Sequence, residues 1–166
     1  MSIEMDEPVL SLSLLNELYY YNSENGQLIH KVSRRGVRKG TVAGSVKKDG
    51  YVHLKIMGVE YYAHRVIYFM LHGYLPAMVD HKDGNRSNNK PANLRAATSG
   101  QNCANSRVRK DNVCGIKGIR RSGKKWRASI TTEKKQLHLG SFDNQEQAIA
   151  AYRNAAIEHH REFMKA

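Results

Sequence analysis

Short runs in which apolar and polar residues alternate dominate the first part of the chain and predict small strands joined by tight turns. A short helix is predicted from Leu12 to Leu18, and a hairpin follows with its turn at Asn25-Gly26. Two more turns are predicted at Asp49-Gly50 and Met57-Gly58. Residues 64–72 are typical of a buried helix that ends near Gly73. The N-terminal region is therefore predicted to be β-rich and packed on one helix.

Residues 79–105 predict a strand, a long loop, a second strand and a helix. The first strand is predicted to end at Val79, and residues 83–91 are crowded with Gly, Asn, Ser and Pro, which favours a loop. The stretch NLRAA can form the second strand. Thr98 and Gln101 have the spacing of a helix capping box, which would put Asn102 on the first turns of the next helix.

The C-terminal part predicts three strands followed by one helix. In KKWRASITT, Trp126, Ala128 and Ile130 share one face and predict packing against the helix, so that Trp126 is core. Gln136 and His138 alternate with Leu137 and Leu139 in the same way. Asp143 and Glu146 predict a helix start, and the helix is expected to reach about Phe163 with an apolar face formed by Ala148, Ile149, Tyr152, Ala156 and Phe163.

These patterns predict an α+β protein with three parts. A β-rich N-terminal domain with a strand–strand–helix motif covers 1–105, a basic linker covers 106–114, and a small three-stranded antiparallel sheet with a helix covers 115–166. No internal repeat is evident. A length of 166 residues suits one ordinary domain or two small ones.

The charge of the chain narrows the choice of partner. The formal net charge is +12 with a pI of about 9.8, although residues 1–30 carry five acidic groups and no Lys or Arg. Such a positive excess favours a polyanion, usually nucleic acid. The sequence shows no long apolar run and no signal peptide, so no membrane contact and a cytoplasmic location are expected. The spacing of the two cysteines, Cys103 and Cys114, fits no common zinc site.

Asp80 and His81 are the candidate catalytic pair. Cleaving a phosphodiester needs a base that activates water and a metal ion that draws charge from the phosphate. A histidine can supply the base and an aspartate can bind the metal, but a second oxygen ligand is needed. Asn102, on the predicted helix, is a plausible one.

The stretch VDHKDGNRSNNKPANLRAATSGQN closely resembles the HNH (ββα-metal) nuclease motif in the branch found in phage and intron homing endonucleases. The resemblance implies that His81 is the general base, that Asp80 is a metal ligand, and that Asn93 pins the loop carrying His81. Asn102 stands where many relatives have a metal-binding histidine. A carboxylate with an amide oxygen suits one Mg²⁺ or Mn²⁺ ion rather than Zn²⁺. The resemblance further implies 5′-phosphate and 3′-hydroxyl products.

Residues 115–160 resemble the AP2/ERF DNA-binding domain, through GIR and HLGSFDNQEQAIAAYRNAA. A strand face rich in polar and basic side chains can lie in the major groove of DNA. By position, the candidate DNA contacts are Lys117, Arg120, Arg127, Thr131, Gln136 and His138. The expected partner is double-stranded DNA, with no obligate protein partner.

Two questions stay open at this point, one about His64 and Arg65 and one about the function of the whole chain. His64 and Arg65 either reach a phosphate near the site or pack in the interior. Asn88 and Asn89 are interpreted as loop filler. The whole chain is either a DNA endonuclease or a non-cleaving DNA-binding regulator with a vestigial nuclease fold; an RNA-binding accessory role is weaker, because no aromatic pair stands on a basic strand face.

Overall fold

The computed structural model describes residues 10–106, 108, 112, 114–132 and 135–160. The chain forms two compact units, Met1–Arg95 and Ala96–Ala166. The elements before the division are α1 (Leu12–Leu18), β1 (Tyr19–Asn22), β2 (Gln27–His30), β3 (Ser45–Val46), β4 (Val52–Ile56), β5 (Val59–Tyr62), α2 (Ala63–His72), β6 (Met78–His81) and a 3₁₀ turn (Pro91–Asn93), and the division falls within β7 (Leu94–Ala97). Those beyond it are α3 (Ser99–Asn105), β8 (Ile119–Ser122), β9 (Lys125–Thr132), β10 (Lys135–Phe142) and α4 (Gln145–His160).

Helix α1 leads directly into the hairpin of β1 and β2, as the sequence predicted. The hydroxyl of Ser11 caps the helix by accepting a hydrogen bond from the Leu14 amide at 3.2 Å. The hairpin turns at Asn25-Gly26, where Gly26 has a φ of +75°, a conformation that favours glycine. Leu15 and Leu28 are buried and join the hairpin to the core of the first unit.

The antiparallel sheet of β3, β4 and β5 and helix α2 form the centre of the first unit. The hairpins turn at the predicted positions, between β3 and β4 and between β4 and β5. Leu54 and Ile56 of β4 are buried, as are Val66 and Ile67 of α2. The helix ends at Gly73, whose φ of +76° is the left-handed conformation common after helices.

The predicted strand, loop, strand and helix of residues 79–105 are all present. Strand β6 includes Asp80 and His81, so the prediction that it ends at Val79 is wrong. The strand runs further because it pairs with β7, and because the Lys82 amide then donates to the Asn93 carbonyl at 2.9 Å. At the start of α3, both hydrogen bonds of the Thr98–Gln101 capping box form.

Helix α3 groups with the second unit, whereas the predicted first domain included it. The reason is that α3 packs against β9 and α4. Lys117 adds to this packing, since its ammonium donates to the carbonyls of Cys103 and Ala104 at 3.2 and 2.5 Å. Most of the predicted linker, 106–114, lies outside the described residues, so the linker and the limits of the folding domains stay predictions.

The second unit contains an antiparallel sheet in the order β10–β9–β8. Ala128 and Ile130 of β9 are buried, and Trp126 packs against the same core, as predicted. A β-bulge between His138 and Gly140 interrupts β10. Leu139 packs against this core as predicted, whereas Leu137, which precedes the bulge, is 38% exposed, so its predicted packing is wrong.

Helix α4 covers one face of that sheet. It is capped by Asn144, whose side-chain oxygen accepts from the Gln147 amide at 2.9 Å, so the predicted cap Asp143 is one residue too early. Ala148 and Ala156 are buried on its inner face. The predicted end at Phe163 lies outside the described residues.

The fold class predicted from the sequence, α+β with several small antiparallel sheets, is confirmed. A β-rich N-terminal region is followed by a three-stranded sheet with a helix. Among the described residues, no helix is both long and apolar enough to cross a membrane.

Gly118 and Gly123 provide a matched test of packing in the second unit. Both have positive φ, +69° and +62°, but a Cβ at Gly118 would overlap the Ser129 carbonyl and the Tyr152 ring, whereas one at Gly123 would meet nothing within 4 Å. We expect Gly118→Ala to lower the free energy of unfolding by roughly 1–3 kcal/mol more than Gly123→Ala. Urea unfolding of the two variants measures the difference, and equal losses would contradict the close packing.

Candidate functional site

Asp80 and His81 end strand β6 with both side chains nearly buried, at 5% and 4% exposure. Successive side chains of a strand face opposite ways, so the two have different surroundings. Asp80 contacts Arg95 of β7, whereas His81 contacts Asn89 in the loop between the strands. The structure therefore gives each member of the predicted pair its own polar partner.

The imidazole of His81 is held by the side chain of Asn89. The His81 Nε2 lies 2.9 Å from the Asn89 Oδ1. Because a carboxamide oxygen only accepts, Nε2 must donate a proton, and the neutral ring then carries its basic lone pair on Nδ1. Burial lowers the pKa of His81 below the usual histidine value, although the bond to Asn89 and the carboxylates of Asp83 and Asp80 oppose that shift. At neutral pH the ring is thus neutral and able to accept a proton.

Asn93 ties together the loop that follows His81. Its Oδ1 accepts from the Asp83 amide at 3.0 Å, and its Nδ2 donates to the Asn88 carbonyl at 2.6 Å and to the Asp83 carboxylate at 3.0 Å. These are the contacts that the predicted pinning role requires. Its part in catalysis stays a prediction.

The Asp83 carboxylate completes the closure of this loop. Burial acts to raise the pKa of Asp83, but hydrogen bonds from the Asn88 side chain, the Asn85 amide and the Asn93 side chain outweigh it and lower that pKa. The ionised form of Asp83 is therefore favoured, and its carboxylate accepts hydrogen bonds from Asn85, Asn88 and Asn93 along the loop. Its negative charge also lies close enough to His81 to act on the imidazole.

Asp80, which is buried, forms an ion pair with the partly buried Arg95. Arg95 Nε and Nη2 both lie 2.9 Å from Asp80 Oδ2. A buried carboxylate needs such a partner, because an uncompensated charge is costly away from water. Asp80 is therefore a carboxylate that Arg95 already holds in place, and it would be the residue to hold a metal ion here.

His64 packs edge-on against His81, with ring centres 4.9 Å apart. Burial lowers the pKa of His64 to about 3, and the charges of His81 and Arg65 add to that shift. The ring is neutral at neutral pH and offers no positive charge to a phosphate, which favours the packing alternative. Arg65 donates to the carbonyls of Ala77 and Pro76 at 3.3 and 3.5 Å, just before β6. A phosphate contact by either residue stays a prediction.

The guanidinium group of Arg86 lies near His81 and carries a positive charge. Its Nη1 donates to the Asp49 carbonyl at 2.8 Å, and its Cζ lies 4.9 Å from the centre of the Tyr51 ring. The Tyr51 ring is in turn 5.9 Å from the His81 ring. The positive charge of Arg86 acts to lower the pKa of His81.

The predicted metal ligands are both oxygen donors. In the part of the chain that the structure describes, no three His, Cys, Asp or Glu side chains lie together as a metal cluster. The predicted set needs only the Asp80 carboxylate and the Asn102 carboxamide, and Asn102 is a half-buried residue of α3. These donors fit Mg²⁺ or Mn²⁺ and disfavour Zn²⁺. Their sharing of one ion stays a prediction.

One face of the second unit's sheet gathers most of the predicted DNA contacts. A depression of about 90 Å³ is lined by Arg120, Arg127, Ser129, Gln136 and His138. Arg120 pairs directly opposite Arg127, and Thr131 opposite Gln136. Gln136 Nε2 donates to Ser129 Oγ at 3.2 Å, which orients its amide on this face. The face therefore presents two guanidinium groups side by side with neutral hydrogen-bonding groups.

Lys117 is placed differently from these residues. Its ammonium binds the last carbonyls of α3, where a cation also interacts favourably with the helix dipole. This contact gives Lys117 a structural role, and a DNA contact from it stays a prediction.

The strand–loop–strand–helix segment matches a known protein family. Residues 61–104 match the model of the HNH endonuclease family. The chain thus carries an HNH endonuclease domain, which indicates a nuclease or DNA-binding function. Protein 3.8 of Escherichia phage T7 is 36% identical over 89 residues, covering 52% of this chain and 73% of that protein. The chain belongs to the same family as Protein 3.8.

A second relative comes from a plant. The ethylene-responsive transcription factor-like protein At4g13040 of Arabidopsis thaliana is 43% identical over 51 residues, covering 31% of this chain and 23% of that protein. The chain therefore spans less than a quarter of the length of this relative. No solved structure matches the chain.

Asn89, Arg86 and Arg95 are the site residues that the sequence did not single out. The interpretation of Asn88 and Asn89 as loop filler is wrong, because Asn89 is 1% exposed and binds His81 while Asn88 binds Asp83 and Asn93. Arg95 is the one charged residue of β7, whose other residues are Leu94, Ala96 and Ala97, and this was a signal that it has a buried partner. Asn89 carried no local signal, since asparagine is ordinary in loops.

The lowered pKa of His64 predicts a loss of stability in acid. As the pH decreases from 7 to 5, His64 takes up a proton in the unfolded chain, where its pKa is near the ordinary 6.5, but not in the folded chain. The free energy of unfolding therefore decreases as the pH is lowered. We expect about 2 kcal/mol of loss from this residue. His64→Phe should remove that part of the loss, measured by urea unfolding at both pH values.

His72→Phe is the matched control, because it makes the same change at the exposed end of the same helix. An acid-dependent loss that is equal in wild type, His64→Phe and His72→Phe would contradict the assignment of a buried neutral His64.

Proposed function

We propose that the protein is a metal-dependent DNA endonuclease of the homing type, in which His81 activates the attacking water. Asp80 and Asn102 are its proposed ligands for one divalent cation, Mg²⁺ or Mn²⁺. The second unit is proposed to recognise the target site as an AP2/ERF-like module. The observation that carries the proposal is the His81–Asn89 hydrogen bond at 2.9 Å beside Asp80, within a domain that matches the HNH endonucleases.

The chemistry of His81 follows from its surroundings. With Nε2 donating to Asn89, Nδ1 is the nitrogen that takes a proton from water. Burial favours the neutral ring, and the nearby carboxylates of Asp80 and Asp83 favour the imidazolium that forms when the proton arrives. Both forms of the ring are therefore accessible, as a general base requires.

A divalent cation, which HNH nucleases generally use, would supply charge neutralisation at the phosphate and the leaving 3′ oxygen. Asp80 would offer a carboxylate oxygen to this ion while Arg95 keeps the side chain in place through Oδ2. Arg86 is a further candidate to contact a phosphate near His81, because its guanidinium is already oriented by Asp49 and Tyr51.

Binding of DNA is supported by charge and by the sheet face of the second unit. Arg120 and Arg127 are direct cross-strand neighbours, and like charges in such positions repel. A phosphate or a guanine edge between them would relieve that repulsion and accept their hydrogen bonds. The net charge of +12 acts in the same direction over longer distances.

A non-cleaving DNA-binding regulator with a vestigial HNH fold is the second candidate. The observation in its favour is the burial of Asp80 and His81 together with the Asp80–Arg95 ion pair, since a purely structural ion pair would look the same. The two candidates differ in whether duplex DNA is cut.

His81→Ala tests the proposed chemistry. We expect cleavage to fall by about 10²–10⁴-fold with DNA binding retained, because the general base is lost while the charged surface is not. Plasmid nicking with Mg²⁺ and with EDTA measures cleavage, and a gel mobility shift measures binding. His72→Ala, an exposed histidine on α2, is the control and should nick normally.

Near-normal nicking by His81→Ala would reject His81 as the base. Cleavage by the wild type that persists in EDTA would reject the metal, and a wild type that binds DNA without nicking it would establish the second candidate.

Arg127→Ala tests the proposed recognition surface. We expect about tenfold or greater weakening of binding to the target site, as for loss of an arginine contact to a base, and a shallower dependence of affinity on salt if the contact is to phosphate. Arg121→Ala is the matched control, because Arg121 is paired opposite Trp126 and so belongs to the other face of the sheet. Equal losses in the two variants, measured by fluorescence anisotropy over a salt series, would contradict the assignment.

A further inference from the structure

The N-terminal hairpin of β1 and β2 contacts the loop that carries Asn89. The Tyr21 hydroxyl donates to the Asn89 carbonyl at 2.8 Å, across 68 residues of sequence. Burial raises the pKa of Tyr21 to about 12, so the hydroxyl keeps its proton and remains a donor at any ordinary pH. The hairpin thus contacts the loop through a hydrogen bond whose donor, the Tyr21 hydroxyl, stays protonated.

Gly26, in the turn of the same hairpin, lies against the same loop backbone. A Cβ built there would be 2.7 Å from the Asn89 carbonyl carbon and 2.7 Å from the Lys90 amide nitrogen. Real Cβ atoms do not approach backbone so closely, so only glycine allows this contact. Tyr21 and Gly26 therefore hold the Asn89 backbone from the two ends of the hairpin turn.

The side chain of Asn89 links this fixed backbone to His81 through a hydrogen bond. Asn89 is 1% exposed and its Oδ1 accepts from His81 Nε2 at 2.9 Å. If the Asn89 backbone moved, the oxygen would move with it and the histidine would lose its acceptor. Tyr21 and Gly26 of the hairpin contact the Asn89 backbone, and the Asn89 side chain contacts the His81 imidazole.

We propose that the β1–β2 hairpin is a positioning element of the catalytic site, acting through Asn89 to fix the tautomer and orientation of the His81 ring. Asn89 is the positioning residue, and Tyr21 and Gly26 hold it in place. Both hairpin residues lie outside residues 61–104, the part that matches the HNH endonucleases. The catalytic consequence rests on the proposed function, whereas the effect on the His81 ring does not.

Two hydroxyl deletions on one strand provide the test. Tyr21→Phe removes only the hydroxyl that binds Asn89, and Tyr20→Phe makes the identical change on the neighbouring residue, which is 57% exposed. Asn89→Ala removes the acceptor itself, and Asn89→Asp restores an oxygen at the same position. Thermal unfolding of all four variants identifies any that fail to fold.

The first readout is ¹⁵N NMR of the histidine rings in the full chain, at one fixed pH of about 8 and without metal or DNA. The proposal expects a single Nε2–H tautomer of His81 in the wild type and in Tyr20→Phe. It expects a tautomer mixture in Asn89→Ala, a smaller shift toward that mixture in Tyr21→Phe, and restoration in Asn89→Asp. A wild-type Nδ1–H tautomer, or Tyr21→Phe and Tyr20→Phe spectra that agree at His81, would overturn the proposal.

The second readout is cleavage of a DNA duplex at saturating Mg²⁺. Asn89→Ala should lower kcat by about tenfold or more, as expected for a mispositioned catalytic histidine, while KM changes little. Tyr21→Phe should lower kcat a few-fold and Tyr20→Phe should not change it. Unchanged kcat in Asn89→Ala would overturn the positioning role.

The two readouts separate this proposal from the proposed function. If the wild type does not cut DNA, the proposed function fails, and the NMR comparison still decides whether the hairpin controls the His81 ring. If the wild type cuts DNA but the Tyr21 and Asn89 variants leave both ring and kcat unchanged, the hairpin proposal alone fails.

Discussion

The hydrogen bond between His81 Nε2 and Asn89 Oδ1 is the interaction on which the candidate site depends. It is buried, and losing a buried hydrogen bond typically costs about 1–3 kcal/mol. This bond therefore favours the loop conformation between β6 and β7 that places Asn89 against His81. Asn93 and Asp83 close the loop around this bond, and the Asn89 backbone is fixed from outside by Tyr21.

The site combines two neutral histidine rings with one ion pair between a carboxylate and a guanidinium group. Burial lowers the pKa of both His64 and His81, so two neutral rings pack together where two cations would repel. The buried carboxylate of Asp80 is balanced by Arg95. A neutral imidazole beside a compensated carboxylate is an arrangement that can accept a proton without first losing one, which is the property that hydrolysis of a phosphodiester demands of its base.

The second unit has a different physical character. Its core is small, formed by Ala128, Ile119 and Ala148 with partly buried neighbours, and its exposed sheet face is polar and basic. The carboxylates of the predicted catalytic site belong to the first unit, and the paired Arg120 and Arg127 belong to the second. Under the proposed function, this division would combine a chemical site with a separate surface for DNA.

Local sequence determined the elements of this protein and, for the most part, their ends. The Asn25-Gly26 hairpin, the Thr98–Gln101 capping box and the alternation along β9 are confirmed because each depends on residues adjacent in the chain. The extension of β6 through His81, the bulge in β10 and the cap at Asn144 were missed, since pairing and packing decided them. The sequence motif also singled out Asp80, His81 and Asn93.

Only the tertiary structure decided which groups surround those residues. Asn89 binds His81 through a loop closure, Arg95 binds Asp80 across a strand pair, and Tyr21 reaches Asn89 from 68 residues away. His64 is packed against the rings of Tyr51, Tyr62 and His81, and its burial lowers its pKa to about 3, so its ring is neutral at pH 7. Periodicity and motif spacing report short-range geometry, whereas burial, tautomer and charge compensation depend on contacts between distant segments, and these exist only once the chain has folded.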